Sequence, residues 1–78
     1  MKTICKRLHR GDDLLQSICA LAEERAIEAG VVLSGVGCVT RAVVRDASGV
    51  TLREINEPCE IVSLNGTVSR TRCHLHIA

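Results

Sequence analysis

The 78-residue sequence contains no phenylalanine, tryptophan or tyrosine. Any core must be built from Val, Leu, Ile, Ala and Cys, and gripping single-stranded nucleic acid by stacking bases on aromatic rings is excluded. No apolar run approaches the roughly 20 residues a membrane-spanning helix needs, so no membrane partner is expected. No Cys-x-x-Cys pair occurs. The five cysteines, Cys5, Cys19, Cys38, Cys59 and Cys73, are odd in number and scattered, and no charged-then-apolar leader precedes them. Free thiols in a reducing, cytoplasmic compartment are the expectation. An excess of one charge is lacking too. Ten Lys and Arg against nine Asp and Glu leave a formal charge of +1, far from the one-sided basic footprint of a dedicated DNA-binding domain. No internal repeat, low-complexity tract or linker divides the chain, so it reads as one domain over residues 1–78.

What is present must close a small core. A chain of this length buries only roughly 60% of its unfolded surface, and small aliphatic cores are usually stapled by disulfides, metal or a partner chain. With disulfides set aside, metal and oligomerisation remain.

The spacing predicts an α+β fold, a mostly antiparallel sheet with one main helix. Residues 2–8, with Ile4 among basic residues, read as a first strand. Asp12 is the expected N-cap of a helix over residues 12–29 carrying Leu14, Leu15, Ile18, Leu21 and Ala22 at helical spacing, with Gly30 as its stop. Strands are expected over 38–45 and 50–55, joined by the turn "DASG". A further strand, "CEIVSLNGTVS", is expected to bend near Asn65-Gly66, and "TRCHLHIA" to form the last.

Several residues could carry chemistry. In "RCHLHIA", His74 and His76 alternate with Cys73, Leu75 and Ile77. On a strand the two imidazoles share one face while the apolar residues face the other, so the histidines are candidate zinc ligands. The structural alternative is a pair of hydrogen-bonded polar residues on an exposed strand. Alternation also sets Cys73 against His74, the wrong geometry for a thiol–imidazole nucleophile. Cys38 with Ser34 could line a pocket, against the plainer reading of a small residue at a crowded bend. Gly35 and Gly37 follow a helix rather than precede one, which excludes a phosphate loop and makes them structural glycines, as Gly66 is expected to be. Glu60 is a candidate base near the histidines, or simply a solvated strand charge. Lys2, Lys6, Arg7, Arg10, Arg70 and Arg72 are the candidates for DNA contact; the N-terminal ones, with Lys6, Arg7 and Arg10, could form a small basic patch, against the plainer reading of solvated charges scattered over two ends. No nucleophile and base stand together in the sequence, so a binding domain is favoured over an enzyme, and whether the chain catalyses a reaction stays open.

The ordered stretches "RLHRGDDLL", "AGVVLSGVGCV", "EIVSLNGTV" and "HLHIA" resemble the plants-and-prokaryotes-conserved (PPC) domain over nearly the whole chain. The resemblance implies a sheet with one main helix, a homo-oligomer that is usually a trimer, and the description "DNA-binding" that accompanies plant members carrying an AT-hook. It also implies that His74 and His76 would be joined by a third histidine from a Gly-Gly-His segment. The present sequence departs from the family in lacking that segment, in lacking an AT-hook (Arg10-Gly11-Asp12 is not its core), and in carrying Cys38 where Ser is frequent. On this resemblance the chain is expected to correspond to the first part of a PPC domain. Water, His9 or a neighbouring subunit would have to complete a zinc site. A metal-dependent small-molecule binder or enzyme centred on the two histidines is the rival to an oligomerising, weakly DNA-binding domain.

Overall fold

The computed structural model describes residues 2–78. The expectation of an α+β domain with a single main sheet is corrected. Strands take 35% of the chain and the helix 14%; this is a small β-rich domain with one short helix. Helix α1 spans Leu14–Glu24 and is followed by seven strands among the described residues: β1 (Gly30–Val32), β2 (Gly37–Val39), β3 (Ala42–Arg45), β4 (Leu52–Ile55), β5 (Cys59–Ile61), β6 (Leu64–Val68) and β7 (Cys73–Ile77). They form three sheets in the orders β1-β6-β7, β2-β5 and β3-β4, and every pairing is antiparallel.

The helix is 11 residues long instead of the expected 18 or so. Its N-cap is Asp13, not Asp12, and the Asp13 carboxylate accepts the Gln16 N–H at 2.9 Å. Asp12 serves the preceding turn. Its carboxylate accepts the His9 N–H at 2.8 Å, and its own N–H donates to the His9 carbonyl at 3.0 Å. Gly11, at φ +92°, supplies the left-handed residue of that turn. The helix stops well before Gly30. The Ile27 N–H donates to the Ala22 carbonyl and the Ala26 N–H to the Glu23 carbonyl, the two bonds of a Schellman motif. Ala26 takes the left-handed position, at φ 51°. A C′ alanine carries no obvious sequence signal, which is why the helical periodicity overran it.

Residues 2–8 form no strand; no ladder in the fold accepts them. The expected strand over 38–45 breaks at Thr40-Arg41, because β2 pairs with β5 while β3 turns to pair with β4. The β3-β4 hairpin closes through the "DASG" turn, with Gly49 at φ +79°. The bend expected at Asn65-Gly66 lies earlier, at Val62-Ser63, where Val62 and Ser63 N–H groups both donate to the Ala78 carbonyl. Gly66 sits within β6, opposite Leu75.

The core is thin. Ala22, Leu64 and Val68 are the buried apolar residues among those described. They mark the face of the three-stranded sheet against which α1 packs. A second tie fastens the end of the helix to the β6-β7 turn: the Arg70 N–H donates to the Ile27 carbonyl at 2.8 Å, and the Arg70 guanidinium lies 3.0 Å from the Glu28 carboxylate.

Candidate functional site

Strand β7 positions the two histidines. Alternation along "CHLHI" turns Cys73 and Leu75 inward to half-buried positions and leaves His74 and His76 exposed. The rings stand edge to face with centroids 4.9 Å apart. Thr67 lies opposite His74 and Asn65 opposite His76 on β6, so the face is polar and open. Ile77, on the inward side, is still 37% exposed at the strand end.

The register holding this pair depends on Gly66. Its φ is +153°, and a Cβ there would overlap the His74 carbonyl oxygen and crowd the Leu75 Cα. Only glycine lets β6 run this close to β7. Gly35 answers to a different neighbour: a Cβ on it would sit 2.6 Å from Leu64 Cδ2. Gly37, at φ +141°, faces open space.

Tested as a zinc site, the single chain falls short. Zinc in proteins takes four donors, or three and water. Among the described residues no third His, Cys, Asp or Glu joins the pair. His9 lies in the turn before α1, where its Nδ1 is 4.0 Å from Asp12 Oδ2.

The other candidates are dispersed. Glu60 is exposed on β5 directly opposite Cys38 on β2, a pairing that periodicity could not anticipate because it depends on which strands meet. Ser34 lies exposed in the β1-β2 connection. Lys6, Arg7 and Arg10 are exposed, and Lys6 shares a shallow hollow with Asp12 and Glu24, which counters its charge. Arg41 is likewise engaged. Its Nη2 lies 2.7 Å from Glu54 Oε1 and its Nε donates to Glu54 and to Asn56. The Arg41 hydrogen bond, then that from Asn56, holds the Glu54 carboxyl below the usual carboxylate range. Cys73 moves the other way. Burial, then the adjoining Cys19 thiol, pushes its pKa up to about 11.

One feature was invisible in the sequence. Val39, Ala42 and Val44 meet Ile55, Ile61 and Ile77 around an apolar groove of about 240 Å³ where the three sheets converge. Its walls come from five strands, so no local pattern announces it.

The sequence matches the family model of the Plants and Prokaryotes Conserved (PCC) domain over residues 1–78. It is 37% identical over 71 residues to a protein named "Bifunctional protein GlmU" from Synechococcus sp. (strain JA-2-3B'a(2-13)), covering 91% of this chain and 11% of that one. A protein of the same name from Synechococcus sp. (strain JA-3-3Ab) is 36% identical over 72 residues, covering 92% of this chain and 12% of that one. The chain therefore spans about a tenth of the length of these curated relatives.

Proposed function

This chain belongs to the Plants and Prokaryotes Conserved domain family, and from that premise we propose that it is an oligomerising domain, a trimer, of the cytoplasm, with weak and sequence-independent affinity for DNA. The observation that carries the reading is an excess of exposed surface in which large apolar side chains take part. A folded monomer of 8.4 kDa should expose about 4,600 Å²; this chain exposes 6527 Å². Val36 is 91% exposed and Val62 82%. An excess of this size matches what subunits bury in stable association, and patches of this kind are unusual on soluble monomers. The physics supports more than one copy; the number three comes from the family resemblance. The similarity to a short part of much longer proteins supports the reading of a module that also works within larger chains. Light scattering on a dilute folded sample tests it. A trimer mass is expected, and a monomer that melts cooperatively overturns it.

DNA affinity rests on Lys6, Arg7 and Arg10, which can neutralise only a few phosphates. Binding is expected to fall steeply with salt and to show no preferred sequence. A salt-resistant complex in a fluorescence titration would contradict this.

A second reading has its own observation, the 4.9 Å approach of His74 and His76. Here the oligomer presents the pair to zinc, with donors from a neighbouring copy completing the shell, and the site serves a small molecule. Calorimetric titration with zinc, repeated on His74→Ala, tests it. Heat that survives the substitution removes the reading.

A further inference from the structure

The five cysteines do not scatter at random in space. Cys19 occupies the inner face of α1, one turn before the fully buried Ala22. Cys73 opens β7 on its inner face, the side away from His74 and His76. Helix α1 packs against β7, and the two thiols adjoin each other in that layer, both half-buried. Cys73 Sγ is turned inward, 3.8 Å from the Ser69 carbonyl oxygen. By contrast Cys5 and Cys38 are exposed, and Cys59 lies in β5, on the apolar groove.

We propose that Cys19 and Cys73 form a redox-closable clasp that fastens the helix to the sheet. The oxidant is a low-molecular-weight disulfide. The Cys19 thiolate attacks one sulfur of that disulfide, forms a mixed disulfide and expels one small thiolate. The Cys73 thiolate then attacks the Cys19 sulfur, forms the Cys19–Cys73 bond and expels the second. The protein gives up two electrons and two protons; the small disulfide takes them and leaves as two thiols. A dithiol reductant reverses both steps. Closure spans the layer that holds the molecule together, where Ala22, Leu64 and Val68 are the buried apolar residues. The clasp would thus set how firmly the helix is held without touching the histidine face.

The sequence makes the test direct. Trypsin places Cys19 in the peptide over residues 11–25 and Cys73 in that over 73–78, each with no other cysteine. The chain is incubated with oxidised glutathione at about pH 8.5, long enough for the small thiolate fraction of Cys73 to react, quenched in acid and mapped without reduction by mass spectrometry. The expected result is a dominant 11–25/73–78 linked pair that dithiothreitol releases. In guanidinium the same treatment should scatter linkages over all five cysteines. In Cys73→Ser, Cys19 should retain a glutathione adduct. The oxidised chain should melt about 10 °C or more above the reduced one, as a crosslink closing so long a loop implies. Stable glutathione adducts on both thiols of the native chain, a dominant linkage between other cysteines, no reaction at either position while Cys5 is modified, or an unchanged melting temperature would overturn the proposal.

Discussion

Gly66 and Ala26 show how single positions set this fold, and in opposite directions. Gly66→Ala would drive a Cβ into the His74 carbonyl and part β6 from β7. A loss of about 2–4 kcal/mol in urea unfolding is expected, at the severe end of single substitutions. Ala26 holds a left-handed conformation at φ 51° that costs an L-residue about 1 kcal/mol. Ala26→Gly should therefore raise stability by about 0.5–1 kcal/mol in the same measurement. Cys73 makes a third case. Its thiol is half-buried and titrates near 11 against an ordinary 9.0. Alkylation mapped by mass spectrometry at pH 8 should proceed more slowly there than at exposed Cys5. Because the folded chain keeps this proton longer than the unfolded one, stability should fall as pH rises from about 9 to about 11. Cys73→Ser should flatten that decline.

Elements differ in how well they are supported. Strand β6 is paired on both sides, by β1 and β7, and two of its residues, Leu64 and Val68, are buried. The β3-β4 hairpin is a two-stranded sheet by itself, with Val43 51% and Leu52 60% exposed, and such hairpins are marginal in water. Amide exchange in dilute solution should be fastest in β3 and β4 and slowest in β6. Raising the protein concentration should slow exchange in the hairpin if subunits cover it. For the helix, Asp13→Ala removes the side chain that accepts the Gln16 N–H and should cost about 1 kcal/mol.

At the scale of the whole molecule the chain is open. Its radius of gyration is 12.8 Å where a compact domain of this length has about 11.5 Å. Association that buries the surplus should make the melting temperature rise with protein concentration, since mass action favours the assembled state. A melting temperature independent of concentration over two decades would leave the exposed valines unexplained and the trimer without support. No helix among the described residues is long and apolar enough to cross a membrane.

Local pattern was enough for part of this. The alternation in "CHLHI" placed His74 and His76 on one side and Cys73 and Leu75 on the other, because strand geometry allows nothing else. The "DASG" turn announced the β3-β4 hairpin, and the amphipathic run announced α1. The family, too, was legible in four short stretches in order. What local pattern did not hold was partnership. Whether 38–45 is one strand or two depends on which neighbour each half meets: β3 folds back on the adjacent β4, while β2 pairs with β5, about 20 residues on in the sequence. The same holds for the missing first strand, for the meeting of Cys38 with Glu60, and for the groove where three sheets converge. The helix end escaped for a different reason: its stop is a backbone conformation at an alanine, invisible to composition. Tertiary structure alone decided that Cys19 and Cys73 adjoin, since each side chain's direction is local but their meeting depends on how the helix lies across the sheet.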